Sequence, residues 1–306
     1  MDHLQALRVF VAVAKTKSFT AGARSLGLSA PSATRAISTL EDALGARLFT
    51  RTTRRVRLTD VGHRFAEEVR DILAQLQSAE DSVSGAAATP VGRLRITCPQ
   101  EFGRMYVAPL VADFLEAYPE ITAEVLMVDR YVNLVEEGYD VALRIGELPA
   151  SGLSATRVGA VRRVVCGAPA YLEAFGHPSV PADLVKHHRV VVTGAALQEW
   201  HFGPDQSTIV RIYPRLTVNS VAAAIAIARQ GWGLARVLSY QIADDLRKGS
   251  LVAVLTDDEP HPIPVHLVHP LGRKAPAKLR AFLDFSANRL RQIGALRYEQ
   301  GPSVKD

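Results

Sequence analysis

This sequence predicts an α + α/β architecture: a basic winged helix-turn-helix head, a long connecting helix and an α/β body. Three observations carry the prediction. Apolar residues recur at helical spacing through the first 44 residues, with a tight Gly27-Leu28 turn between two of the helices. A heptad stripe then runs from Phe65 to Val83, and beyond Pro90 strand-like and helix-like runs alternate, as in α/β proteins.

The first element is an amphipathic helix over about the first 16 residues, with Leu4, Leu7, Phe10, Val11 and Ala14 on its apolar stripe. A second runs from Thr20 to Leu26, where Ala21, Gly22 and Ala23 let another helix approach closely. Ser29 is an N-cap, and Pro31 suits a first helical turn because the amide it lacks would be unpaired there, so a third helix starts near Ala30. Its apolar residues Ala33, Ile37, Leu40 and Leu44 leave Ser32, Thr34, Arg35, Ser38 and Thr39 off the buried stripe, and Gly45 ends it. From Leu48 to Leu58, alternating residues rich in Thr, Val and Arg predict a short hairpin, the wing. Thr59 caps the next helix, in which Phe65, Val69, Ile72, Leu76, Ala79 and Val83 form a heptad seam. The small-residue stretch Ser84–Pro90 closes it. Beyond it, strands are expected at Gly92–Thr97, Thr122–Met127, Asp140–Ile145, Arg163–Cys166, Val190–Thr193 and Val265–Val268. Helices are expected at Val107–Ala117, Ser220–Gln230 and Lys278–Leu290.

Length and composition agree. At 306 residues the chain has room for two domains, and with 48% hydrophobic and 22% charged residues it is globular. It contains no apolar run near the ~18 residues of a membrane helix. The first residues lack a basic segment followed by an apolar stretch, so a cytosolic (cytoplasmic) protein is expected, without membrane partners. Two cysteines, Cys98 and Cys166, make no disulfide framework and suit a reducing compartment. Charge is unevenly placed: residues 1–63 hold ten Lys/Arg against four acids, a net of +6, which leaves the remainder of the +5 chain at −1. A basic head on a near-neutral body is the footprint of a polyanion-binding end.

A capped, polar-faced second helix after a tight turn fits the major groove, where hydroxyl, amide and guanidinium groups read base edges. Ser29, Ala30, Pro31, Ser32, Thr34, Arg35 and Ser38 are the candidates for that face, and Arg51, Arg54 and Arg55 of the wing for phosphate or minor-groove contacts. A plain three-helix bundle with a solvated basic face would share some of these features. The seam needs a cover, either its copy in a second subunit or apolar surface of its own chain.

Catalysis and metal binding find little support. No Gly-x-Ser-x-Gly elbow, phosphate-binding Gly-x4-Gly-Lys loop or complete dinucleotide glycine motif occurs, and Gly231-Trp232-Gly233 is only a fragment. His261, His266 and His269 are interleaved with Pro262, Pro264 and Pro270 and joined by no cysteine. No cofactor and no metal are expected.

The runs Phe10–Ala14, Ser18–Ala21, Leu28–Ile37, Leu40-Glu41, Leu44-Gly45, Leu48–Thr52 and Leu58-Thr59 resemble the signature of the LysR-type transcriptional regulators. Arg93–Ile96, Asp140–Gly146, Gly231–Ala235 and His269–Leu271 resemble the effector domain of the same family. Where many members carry glutamine, this chain has Ala30. The resemblance implies that Pro31, Thr34 and Arg35 approach operator DNA, that the chain acts as a homodimer or homotetramer, and that the body is two-lobed and periplasmic-binding-protein-like. The expected organisation is a DNA-binding domain at 1–59, a linker and dimerisation helix at 60–89, and an effector domain at 90–300. Lobe one would take 91–163 and 268–300, and lobe two 164–267. A small-molecule effector, with an organic anion among the fitting classes, would lie between the lobes. Pro99-Gln100, at a strand end, and Asn219-Ser220, before a helix, could aim unpaired backbone amides at an anion. Thr97, Pro99, Gln100, Arg130, Arg144, Thr193, Asn219 and Ser220 are the candidate lining. An enzyme tethered to DNA, and an architectural DNA binder whose body senses nothing, are the competing readings.

Overall fold

In the computed structural model, which describes residues 2–52, 55–84, 89–149, 152–186, 189–194, 198–272 and 275–297, the head comprises three helices, a hairpin and a long helix. They are α1 (His3–Thr16), α2 (Phe19–Ser25), α3 (Ala30–Leu44), β1 (Phe49–Thr52), β2 (Arg55–Leu58) and α4 (Asp60–Ser84). The starts of α2 and α3 follow from capping: the amide of Ala21 donates to Ser18 Oγ at 3.2 Å and that of Ser32 to Ser29 Oγ at 3.3 Å. Gly45, at φ +63°, ends α3 in the left-handed region that a side chain would disfavour. Gly22 permits the contact of α1 with α2, since a Cβ there would lie 2.8 Å from the backbone of Val13. Ring contacts of Phe10 with Phe49 (5.4 Å) and Phe65 (5.3 Å) tie α1 to the wing and to α4.

Two sequence expectations for the head need correction. Leu44, assigned to the buried stripe of α3, is 43% exposed, and the polar Glu41 is buried in its stead. The seam of α4 also divides. Val69 belongs to the head core and Phe65 packs against it, so these two positions are covered by their own chain. The physical reason is that the helical repeat of α4 begins against α1 and the wing before it continues outward. Ile72, by contrast, is 54% exposed, and the side chains of Ala79 and Val83 lie outside the described residues.

The body begins with β3 (Gly92–Cys98), α5 (Gln100–Phe102), a π-helical turn at Gly103–Val107, α6 (Ala108–Ala117), β4 (Ile121–Met127), β5 (Val141–Ile145) and β6 (Ser154–Val161). It continues through β7 (Arg163–Gly167), α7 (Pro169–Phe175), α8 (Asp183–Lys186), β8 (Val190–Thr193), β9 (Gln198–Phe202), β10 (Thr208–Ile212), β11 (Leu216–Val218) and α9 (Val221–Arg229). Then come β12 (Leu234–Leu238), α10 (Ala243–Lys248), β13 (Val252–Val254), β14 (Ile263–His269) and α11 (Ala277–Gln292).

Two five-stranded sheets organise these elements, in the orders β4-β3-β5-β14-β6 and β11-β8-β12-β7-β13. They are the cores of two lobes. The chain passes between them at Arg162 and again between β13 and β14. Because β14 pairs antiparallel with both β5 and β6, Ile263–Leu267 belong to lobe one. The boundary expected at 268 is therefore five residues late: a strand cannot be divided between sheets when its ladder lies wholly in one. At the crossings, Arg162 forms a 2.7 Å ion pair with Glu259, and its amide donates to Ser239 Oγ at 3.0 Å. The hairpin of β9 and β10 folds Trp200, Phe202, Val210 and Ile212 into the lobe-two core, which accounts for the aromatic Trp200-His201-Phe202 run.

Candidate functional site

In the head, α3 presents Ser29, Pro31 and Arg35 as exposed residues, with Ala30, Ser32, Thr34 and Ser38 half-buried beside them. The buried Ala33, Ala36, Ile37 and Leu40 hold the other side of the helix in the core. Glu41 fixes this helix to the wing. Its Oε1 accepts the amides of Leu48 (2.8 Å) and Phe49 (3.1 Å), and its Oε2 accepts from Arg47 at 2.9 Å. Burial alone would raise the Glu41 pKa, but the Phe49 amide, the Arg47 side chain and the Leu48 amide outweigh it and hold the carboxyl below its ordinary range. Arg54 lies outside the described residues, and only the backbone of Arg51 and Arg55 is described. Arg57 is exposed on the wing.

The body holds a cavity of about 520 Å³, a size usual for small-molecule sites. Lobe one contributes Pro99, Glu101, Asp129, Ile145 and Ile263, and lobe two contributes Arg163, Thr193, Gln198, Trp200, His201, Arg236 and Tyr240 among others. The side-chain amide of Gln198 donates to Thr193 O, and its oxygen accepts from the Trp200 indole at 2.9 Å, so this wall is fixed internally. The Arg236 guanidinium lies 4.8 Å from the Phe202 ring and 5.4 Å from that of Trp200, and donates to His201 O at 2.6 Å. Burial, reinforced by the charge of Arg163 and opposed by Glu259, lowers the Arg236 pKa to about 10, which leaves it charged at neutral pH. Arg163 is likewise lowered by burial.

Of the expected lining, Pro99 and Thr193 border this cavity. Thr97, Pro99, Arg130 and Arg144 border a second one, of about 370 Å³, within lobe one. There the two arginines are already engaged. Arg130 pairs with Glu137 at 2.6 Å, and Arg144 donates to Tyr131 Oη and Val132 O at 2.8 Å each. The Gln100 backbone amide and the Ser220 hydroxyl are already engaged. The Gln100 amide donates to Asp129 Oδ1 at 2.9 Å, and Ser220 Oγ accepts the Ala223 amide at 3.3 Å as an N-cap. Neither Asn219 nor Ser220 borders either cavity; their neighbour Val221 does. Arg163 and Arg236 were missed because each sits in a strand, RVVCG and LARVL, that reads as plain core. A charge inside so apolar a run was the available signal.

Cys98 and Cys166 are buried in different lobes, and burial pushes both thiols up to about 12. They stay protonated at neutral pH, and so are poor nucleophiles. Among the described residues no group of three His, Cys, Asp or Glu side chains is placed to hold a metal, and no helix is long and apolar enough to cross a membrane.

Residues 4–63 match the bacterial regulatory helix-turn-helix domain of the lysR family, and residues 87–291 match the LysR substrate binding domain. The chain belongs to the LysR family. LysR-type proteins are transcriptional regulators, with an N-terminal helix-turn-helix that binds DNA and a two-lobed domain that binds an effector. One relative, an HTH-type transcriptional regulator of Haemophilus influenzae, is 31% identical over 281 residues, 91% of this chain and 98% of its own. The structure of CrgA, a LysR-type transcriptional regulator from Neisseria meningitidis, matches with a TM-score of 0.60 at 29% identity, over 94% of this chain and 98% of that one. The full-length Vibrio cholerae virulence activator AphB matches at a TM-score of 0.59 and 26% identity, over 94% and 99%.

Proposed function

We propose that this LysR-type regulator reads its operator through the exposed face of α3 and senses a small molecule in the 520 Å³ cavity between the lobes. In this reading residues 1–59 are the DNA-binding domain, 60–89 the linker and dimerisation helix, and 90–300 the effector domain, with lobe two ending before Ile263. Ser29, Pro31, Ser32, Thr34, Arg35 and Ser38 face DNA, Ala30 contributes apolar contact, and Arg51, Arg54 and Arg55 track phosphates. Two copies pair through the outer part of α4, from Ile72 through Leu76, Ala79 and Val83, so that two heads address two half-sites. The protein works in the cytosol by conformational coupling and not by turnover. Ligand binding biases lobe closure and through it the spacing of the heads.

The observation that carries this reading is the division of α3: a buried apolar side locked to the wing by Glu41, and an opposite side of hydroxyl and guanidinium groups with no core role. Selection of binding sites from a random duplex pool tests it. Recovered sites with two-fold symmetric halves support the reading, and a Thr34→Val variant should shift the preferred base at one position of each half. Recovery of no preferred sequence would refute it.

A further inference from the structure

Two side chains in the larger cavity stand apart. β12 pairs antiparallel with β7 so that Arg236 lies opposite Val165 and Leu238 opposite Arg163. Side chains two residues apart on a strand share a face, so Arg163 and Arg236 are diagonal neighbours on one side of the lobe-two sheet, the side that borders the cavity. Two guanidinium groups so placed repel each other, although Arg163 is exposed and Arg236 half-buried, so water screens part of the repulsion.

Among the described residues the Glu259 carboxylate offsets part of the charge of Arg236 without pairing with it. Neither arginine forms an ion pair, and Arg236 Nε is buried without a hydrogen-bond partner. The cavity's acids are committed elsewhere: Glu101 to Arg104 at 2.8 Å, Glu199 to Arg211 at 3.0 Å, and Asp129 to the Gln100 amide. Glu259 spends Oε2 on Arg162, while its Oε1 is buried without a hydrogen-bond partner. The facing wall is different in kind. Ile145, Ile263 and Pro99 offer an apolar surface from lobe one.

We propose that Arg163 and Arg236 together bind the carboxylate of a small organic acid whose apolar body lies against Ile145 and Ile263. The proposal rests on the reading of this cavity as the effector site. A carboxylate takes two parallel N–H···O bonds from a guanidinium and removes the repulsion between the two cations. Its entry would also draw the lobes together, because the head of the ligand is held by one and its body by the other. Arg236 then links the ligand to the crossing, since Glu259, the ion-pair partner of Arg162, also interacts with the charge of Arg236.

Hexanoate and its neutral counterpart hexanamide are suitable probes for the full-length protein, at constant ionic strength set with chloride. Binding is read from the melting temperature and from the fluorescence of Trp200, one of only two tryptophans in the chain. Hexanoate should bind at least about tenfold more tightly than hexanamide, and Arg163→Gln should reduce hexanoate affinity by about tenfold, with partial rescue by Arg163→Lys. Without ligand, Arg163→Gln should melt about 1–3 °C higher, because a like-charge contact is gone. Equal affinities for the acid and the amide, an unchanged affinity in Arg163→Gln, or no binding of hexanoate up to about 20 mM, some thousandfold weaker than typical sites, would overturn the arginine pair. Ile145→Trp separates that failure from failure of the cavity reading. If the plug blocks both probes while both bind the wild type equally, the cavity stands and the arginine pair falls. If the plug blocks neither, the cavity reading itself falls.

Discussion

Replacement of Glu41 by alanine should destabilise the head while leaving the body intact. The carboxylate is the acceptor for the buried amides of Leu48 and Phe49, which no strand partner satisfies at that point. Leaving two buried amides unpaired costs about 1–3 kcal/mol each, so about 3 kcal/mol is expected once some water enters. A head of some 80 residues has about 4–12 kcal/mol in all, and with a urea slope of about 1.5 kcal/mol/M its midpoint should fall by about 2 M. Glu41→Gln keeps an oxygen for both amides but sets an NH2 group against Arg47, and should cost only about 1 kcal/mol. The head has neither tryptophan nor tyrosine, so hydrogen exchange over residues 3–84 reports its unfolding, while tryptophan fluorescence follows the body alone. The pH dependence has a definite sign. The Glu41 pKa is lowered from its ordinary 4.5, so its contribution is present above that value and is lost as pH falls through the lowered one. The gap between wild type and Glu41→Gln should therefore close in acid. Equal stability of Glu41→Ala and wild type, or equal losses for Ala and Gln, would refute the role of this carboxylate.

Three further predictions concern DNA binding, assembly and lobe two. Arg35→Ala should weaken binding to all duplexes and reduce the slope of log K against log salt by about one, measured by fluorescence anisotropy from 50 to 300 mM salt; an unchanged slope would remove Arg35 from the phosphate contacts. Ile72→Asp, placed on the exposed part of the α4 seam, should raise the dimer dissociation constant by about 100-fold in sedimentation without lowering head stability, because Ile72 contributes nothing to the head core. Asp245→Asn should cost about 1 kcal/mol, a value held down by the half-exposed Arg229 with which Asp245 shares two 2.8 Å contacts. The Arg229 bond lowers the Asp245 pKa from 3.8, so thermal melts of wild type and variant should converge as pH falls through that lowered value.

The head was legible in the sequence because its boundaries are written in local chemistry. Ser29, Pro31 and Gly45 each meet a backbone requirement within a few residues of themselves, and α3 begins at Ala30 as those signals predict. Strands β3, β4, β5, β7, β8 and β14 were legible for a related reason, their apolar runs being short and bounded by turns, whereas β6 and β9–β13 were not expected. What escaped depended on contacts between distant segments. The heptad spacing of α4 shows a stripe without showing what covers it, so Phe65 and Val69 were assigned to a partner although they pack in their own head. Asn219-Ser220 carried a capping signal that the cap itself explains. Arg163 and Arg236 are 73 positions apart, and only the register of β7 with β12 brings them to one face. The late boundary at 268 has the same origin, since the pairing of β14 with β5 and β6 is not written in β14 alone.

The proposed reading of two-fold symmetric operator DNA by the α3 face, in a ligand-responsive regulator, is open to test in the cell. Chromatin pull-down and sequencing in the native host, followed by binding of the purified chain to the recovered sites, tests it most directly. Sharp sites built of two symmetric halves, separated by about one helical turn or a multiple of it, are expected. Absence of enrichment above background from a folded, expressed protein would contradict that reading.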